Sequence, residues 1–359
     1  MTLSKIQFGN TGRRNMIING AMQIAQRGTS SSNIGSSGYY TVDRVDLAMS
    51  TTAGRFTQSQ VTDAPDGFSH ALKFDCTTAD TSVAAGETTI VMWQLEGQNV
   101  QQMAKGTSSA KQVTVSFYAK ANASKTYICE LKDFTNTRTV SKAFTVGTSY
   151  TRHEITFPAD TTGAITSDTA KQFAMNIWLH AGSTYTSGSL QTTWGAQTNA
   201  NRCVGIDSFF SSTDNTFFIT GVQMEVGDTV TEFEHRSVGE ELALCQRYFY
   251  RREIGIYDIV AIGHALGDRG GYVLHTPTLM RAKPSVSQGS HIYCWYNNAG
   301  AVTPQNGLVV GYMATNAKDI NQFYLRANSN STVQTGYGLG LTMYDGSATS
   351  SHIALDSEL

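Results

Sequence analysis

The stretch FAMNIWLHA, residues 173–181, alternates strictly. In an extended chain Met175, Ile177 and Leu179 fall on one side, and Asn176, Trp178 and His180 on the other. Such a strand offers one face to a core and a second face carrying an amide, an indole and an imidazole. The same period recurs around it. HALKFDC (70–76) groups Leu72, Phe74 and Cys76. TIVMWQLEG (89–97) groups Val91, Trp93 and Leu95. QVTVSFYAK (112–120) groups Val113, Val115 and Phe117, and TYICELKDF (126–134) groups Tyr127, Cys129 and Leu131. TFFITGVQMEVG (216–227) reads as Phe218, Thr220, Val222, Met224 and Val226 on one face. Short alternating strands separated by turn residues predict a mainly β chain built on an antiparallel jelly-roll sandwich. NMIINGAMQIAQRG (15–28) predicts a strand, an Asn19-Gly20 turn and a second short strand. GQNVQQMAKG (97–106) is the nearest approach to a helix before residue 235.

One segment breaks the pattern: FEHRSVGEELALCQRYFYRRE, residues 233–253. Ser237 and Glu240 have capping-box spacing. Glu240 and Glu241 fall in a first turn, and Arg247, Arg251 and Arg252 in a last turn, as the helix dipole favours. Leu242, Leu244, Cys245, Tyr248 and Phe249 form a wide apolar arc. The expected organisation is therefore an N-terminal arm (1–14), a jelly roll (15–234), a helical connector (235–253) and a smaller β-domain (254–359). The apolar arc is the candidate oligomer or domain interface.

Composition narrows the function. Charged residues are 15% of the 359-residue chain, against roughly 25% in ordinary domains. Ser, Thr, Asn and Gly take their place, a surface suited to extracellular or virion β-proteins. The net charge of −2 and the absence of a basic stripe give no electrostatic footprint for nucleic acid. No run of apolar residues is long enough for a membrane-spanning helix, and MTLSKIQFGN lacks the apolar centre of a signal peptide. The five cysteines, Cys76, Cys129, Cys203, Cys245 and Cys294, are scattered without a CxxC pair. They read as buried thiols of a chain made in a reducing cytoplasm, not as zinc ligands or disulfides.

Several blocks resemble a family of tailed-phage virion proteins of the tail-fibre and receptor-binding type. They are NMIINGAMQIAQRG, YYTVDRV (39–45), FFITGVQMEVGDTVTEFEHRSVGEELALCQRYFYR (217–251), TPTLMRAKPSV (276–286) and the closing ALDSEL (354–359). The first two-thirds also resembles jelly-roll carbohydrate-binding modules. Those modules often close with an acidic pair that holds calcium; Thr220-Gly221 stands there instead, and Val45 replaces an expected aromatic residue. The resemblance implies a virion protein at the particle surface, on the tail rather than the capsid. It implies a homotrimer, other tail or capsid proteins as partners, and contact with host surface polysaccharide.

No catalytic motif is present, so no enzyme, cofactor or metal is expected. A tailspike depolymerase would need paired carboxylates, for which Glu130, Asp133, Glu225 and Asp228 are available but unmarked; a capsid decoration protein is the other alternative. Glycan contact needs flat aromatic rings beside hydrogen-bonding groups. The face Asn176, Trp178 and His180 fits that recipe. So do the loop aromatic Trp194 and the pair Trp295 and Tyr296 in IYCWYNN (292–298), read as a tip loop. Asp43 and Arg44, and Arg281, read as structural.

Overall fold

The computed structural model describes residues 13–255, 258–266, 269–289, 292–296, 302–304, 306–310, 322–328, 338–343 and 351–359, without the side chains of 264–272 and 290–350. The chain divides into two compact units, Met1–Glu241 with Leu359, and Leu242–Glu358. The boundary falls inside the longer helix rather than at either end of a separate connector.

The strands of the first unit are β1 (Ser30–Ile34), β2 (Gly38–Tyr39), β3 (Asp46–Ser50), β4 (Arg55–Val61), β5 (Ala71–Thr78), β6 (Thr88–Glu96) and β7 (Val113–Ala121). They continue with β8 (Lys125–Asp133), β9 (Arg138–Val146), β10 (Thr151–Phe157), β11 (Lys171–Ala181), β12 (Gly195–Ala196) and β13 (Thr216–Val226). Two antiparallel sheets result, ordered β1-β4-β5-β13-β7-β10 and β12-β9-β8-β11-β6-β3-β2. The chain passes repeatedly from one sheet to the other, as in a jelly roll.

The alternating faces meet between the sheets. Leu72, Phe74, Val91, Trp93, Val115, Phe117, Tyr127, Leu131, Met175, Ile177 and Leu179 share one buried core. Strand β13 departs from the simple alternation. Phe217 and Ile219 point inward before Gly221, and Val222 and Met224 after it, so Phe218 and Thr220 are not on the core face. The register against β7 shifts between Thr220 and Gln223. Gly221 sits there at φ 62°; a left-handed glycine is what such a bulge requires. A Cβ at Gly221 would stand 2.7 Å from Phe68 Cζ.

The expected strand pair at 15–28 does not form. Two main-chain bonds reach β13, Met16 N to Met224 O and Val222 N to Gly20 O (both 2.9 Å), and side-chain amides supply the rest. Asn15 Nδ2 donates to Val222 O (3.1 Å), and its Oδ1 accepts from Ile17 N and Met224 N (2.9 and 3.0 Å). Asn19 Nδ2 donates to Ile24 O and Asp43 O (2.8 and 2.9 Å). A primary amide offers the same donor and acceptor as a peptide group, so the segment is tied to the sandwich without being extended. GQNVQQMAKG forms two short 3-10 turns, Gly97–Asn99 and Gln101–Met103.

Two α-helices are described: a single turn, α1 (Ser183–Thr186), and α2 (Val238–Gln246). Ser237 Oγ accepts from Glu240 N (3.2 Å), one half of the expected capping box, while Glu240 Oε1 accepts from Arg13 Nη2 (2.7 Å). The helix stops well before residue 253. Tyr248 N donates to Cys245 O (2.9 Å), and Phe249–Ile254 is strand β14. The apolar arc is therefore helix and strand read as one helix, and the last turn contains no arginine. Cys245 and Tyr248 are fully buried and Phe249 nearly so within the single chain. They are not a surface available to another copy, while Leu242 and Leu244 are half-buried.

The second unit continues with β15 (Ile259–Leu266), β16 (Arg269–His275), β17 (Ser285–Gln288), β18 (Ile292–Tyr296), β19 (Val302–Pro304), β20 (Asn306–Val310), β21 (Gln322–Asn328), β22 (Gly338–Met343) and β23 (Ser351–Asp356). One sheet is β14-β23-β17 and the other is β19-β18-β22-β15-β16-β21-β20. Arg281 anchors the chain end: Nε donates to Ser357 O (2.8 Å) and Nη2 to Glu358 O (2.9 Å).

Candidate functional site

Strand β11 lies between β8 and β6 in the seven-stranded sheet. Asn176 stands opposite Met92 and Glu130, and Trp178 opposite Ile90 and Ile128. These outward side chains were expected at the surface. They are buried instead, with Trp178 and His180 at 0% and Asn176 at 1% exposure. Residues 182–206 fold back over the sheet. Cys203 joins Ile90, Met92, Ile128 and Trp178 in a second apolar cluster, with Tyr185, Leu190 and Ile206 packed against it. The Arg202 guanidinium carbon stands 4.6 Å from the Trp178 ring centre, and the Tyr185 ring 5.4 Å from it. No face of the indole is left for a sugar.

Below that cover lies Glu130, also fully buried. Its Oε1 accepts from Arg202 Nε (2.7 Å), and its Oε2 from Arg202 Nη2 (2.8 Å), Asn176 Nδ2 (2.8 Å) and Trp178 Nε1 (3.1 Å). Burial disfavours the Arg202 cation, but the bidentate bonds to Glu130 outweigh it and raise the guanidinium's pKa. Burial pushes the neighbouring Cys203 thiol well up, so it is no nucleophile. Gln94 Oε1, Asn176 Oδ1, Ser141 Oγ and Thr139 Oγ1, all on this face, are buried without a protein partner. The covering segment leaves that hydrogen-bonding capacity unused.

His180 belongs to a separate tie at one end of the sandwich. Its Nε2 is 3.0 Å from Glu87 Oε2 and its Nδ1 2.8 Å from Ser208 Oγ. Ser208 Oγ also accepts from Phe210 N (3.1 Å), capping the 3-10 turn Phe209–Ser211. Glu87 Oε1 accepts from Ala84 N (2.9 Å). Asp80 Oδ2 accepts from Thr52 Oγ1 (2.9 Å) and Ala53 N (2.8 Å), and its Oδ1 from Ser82 N (3.3 Å); burial raises its pKa, but those bonds lower it further, below the ordinary carboxylate range. Serine, histidine and carboxylate stand in line here, but the serine is spent as a cap and the imidazole is sealed. The arrangement pins loops.

Trp194 is a wall, not a platform. It is half-buried against Phe173 (6.0 Å between rings) and its indole nitrogen donates to Pro158 O (2.9 Å). Lys105 Nζ lies 5.3 Å from its ring centre and bonds to Asp133 (2.5 Å), with Asp160 at 3.0 Å. Trp295 and Tyr296 lie on strand β18, opposite Gly340 and Leu339 of β22, not on a tip loop. Their side chains are outside the described residues. Of the carboxylates available to a depolymerase, Glu130 and Asp133 are engaged as above, and Glu225 accepts from Gln223 Nε2, Thr231 N and Thr231 Oγ1 (2.9, 2.9 and 2.7 Å). Asp228 is exposed. Among the described residues no group of three or more His, Cys, Asp and Glu could hold a metal ion, and no helix is long and apolar enough to cross a membrane.

A second cluster was not anticipated from sequence. Glu234 Oε2 accepts from Arg14 N and Asn15 N (2.6 and 2.7 Å). Arg236 donates to Asn15 O (2.5 Å) and Ile17 O (3.0 Å) and pairs with Glu241 (3.3 Å), which accepts from Asn19 N (2.5 Å). Phe233 and His235 stack on Phe68 at 5.0 and 5.3 Å. FEHRS is thus a latch between the start and the end of the first unit, with alternate side chains bonding and stacking. Its one legible signal was the density of charged residues before a capped helix.

The geometry defines a jelly-roll β-protein whose polar side chains near the sheets are largely structural. No protein-family model matches the chain, and no curated protein sequence matches it. Among solved structures it is similar to the enzymatically active domain of tailspike protein 4 of bacteriophage CBA120, at 10% identity and TM-score 0.31, over 59% of this chain and 21% of that one. It is similar to a CBM4 structure at 10% identity and TM-score 0.31, over 58% of this chain and 99% of that one. A putative sugar binding protein from Bacteroides thetaiotaomicron matches at 10% identity and TM-score 0.29, over 59% of this chain and 100% of that one. The chain thus spans about a fifth of the tailspike domain. Likenesses this remote assign no activity to it.

Proposed function

We propose that this chain is a structural protein of a tailed-phage particle, made in the host cytoplasm and carried on the tail. In this reading it self-associates as a homotrimer and contacts host surface polysaccharide without cleaving it. The carrying observation is where the family-resembling blocks fall. NMIING, YYTVDR and FEHRSVGEE are far apart in sequence, yet Asn15, Asn19, Asp43, Glu234, Arg236 and Glu241 form one bonded cluster. In the second unit, FYR, PSV and ALDSEL are the three paired strands β14, β17 and β23, with Asp356 opposite both Phe249 and Ser285. Blocks that build one structure together support a family reading.

The non-catalytic part of the reading is supported by Glu130, Asp133 and Glu225, whose oxygens are committed to internal donors. Since Trp178 is sealed, glycan contact falls to the remaining candidates, Trp295 and Tyr296. Antibody labelling of intact particles tests the placement. Label on the tail is expected; label on capsid faces or vertices would replace this reading by a capsid decoration protein. Shortened polysaccharide after incubation with the purified chain would overturn the non-enzymatic reading.

A further inference from the structure

Strands β15 and β16 of the second unit carry an apolar surface in water. Ile262 is 72% exposed, Ile259 53% and Val273 42%. Ile262 and Val273 are directly opposed across the strand pair, so their side chains share a face. With Val260 and Ala261 they line an open depression of about 500 Å³, and Arg252 and His275 also border it. Isolated exposed aliphatic residues are ordinary; a contiguous β-branched group on one sheet is not.

The charges beside this group are incomplete. Among the described residues, Arg252 makes one long contact, Nη1 to Val260 O at 3.4 Å. Asp258, next to Ile259, is exposed; its Oδ2 accepts from Gly255 N (2.9 Å), and no described cation pairs with it. Among the described residues, then, neither the Arg252 guanidinium at the depression nor the Asp258 carboxylate, adjacent to Ile259 in the chain, has a counter-ion.

We propose that this face is where a second copy of the chain docks. Ile259, Ile262 and Val273 are covered on association, and Arg252 of one copy meets Asp258 of the next. A closed cyclic assembly repeats one contact around its axis, so each copy supplies both halves of it. Arg252 at the depression and the exposed Asp258, adjacent in the chain to Ile259, offer charges of both signs for such a contact. The inference rests on the self-association reading above and names its surface.

Sedimentation of the full chain at micromolar concentration tests it. The unaltered chain is expected to be oligomeric. Ile262→Glu is expected to raise the dissociation constant about tenfold or more with an unchanged circular-dichroism spectrum. A monomeric unaltered chain would overturn both the self-association reading and this surface. An oligomer that tolerates Ile262→Glu and Val273→Glu would overturn the surface alone. If either variant misfolds, charge exchange decides. Arg252→Glu should weaken association, and adding Asp258→Arg should restore it; failure to restore contradicts the proposed contact.

Discussion

Arg202 lies over the ring of Trp178, 4.6 Å from its centre, while both donate to the same buried carboxylate of Glu130. The indole that would serve a sugar is instead the floor of an internal ion pair.

Breaking that pair should be costly. Arg202→Ala leaves the Glu130 charge buried, and about 3–5 kcal/mol of stability should be lost. Trp178→Ala should cost a similar amount, about 3–5 kcal/mol, through the cavity it opens. Urea denaturation monitored by fluorescence and circular dichroism measures both. A loss below about 1 kcal/mol for Arg202→Ala would mean that the pair is solvated.

This site shows what the sequence made legible. The alternation of FAMNIWLHA placed Met175, Ile177 and Leu179 in the core and the other three residues on the far face, as found. It said nothing of what covers that face. The cover comes from residues 182–206, a Ser-, Thr-, Gly- and Asn-rich segment whose composition reads as loop. Tyr185, Leu190, Trp194, Arg202, Cys203 and Ile206 are its hints of packing. Two other departures have local causes. Gly221 inserts a bulge that reverses the phase of β13, and Asn15 and Asn19 bond through their side chains where a strand pair was expected. The helix ends short of residue 253 because the chain enters strand β14 at Phe249, where Phe249 and Tyr250 prolong the apolar pattern.

The latch predicts a local effect. Arg236→Ala removes donors to Asn15 O and Ile17 O and the partner of Glu241, which should cost about 2 kcal/mol. Amide hydrogen exchange should rise first across residues 13–24. Uniform acceleration across the sandwich, or none, would contradict the latch.

Gly221→Ala places a Cβ at φ 62° and 2.7 Å from Phe68 Cζ. Stability should fall by more than the roughly 1 kcal/mol typical of a strained φ alone, and the melting temperature with it. Because the two share one contact, the loss in Gly221→Ala with Phe68→Ala should be smaller than the sum of the two single losses. An unchanged melting temperature for the single variant would mean the bulge is not fixed.

Stability should also depend on pH through His153, which lies between the rings of Phe117 and Phe144. Burial lowers its pKa below the ordinary 6.5. The unfolded chain therefore binds the proton more readily than the folded one. Stability is complete above about pH 6.5 and declines as pH falls from there towards the lower folded pKa. His352, lowered by burial and by Arg251, adds a change of the same sign in the second unit. Denaturation midpoints at pH 7.5 and 5.5 for the unaltered chain and His153→Gln test this; equal pH dependence in the two would remove His153 as a contributor.

Contact with host surface polysaccharide is tested by binding of the labelled full chain to an array of bacterial surface polysaccharides. Retention on a subset of glycans is expected, lost in Trp295→Ala while circular dichroism is unchanged. Retention on no polysaccharide by the properly folded, oligomeric chain would contradict it.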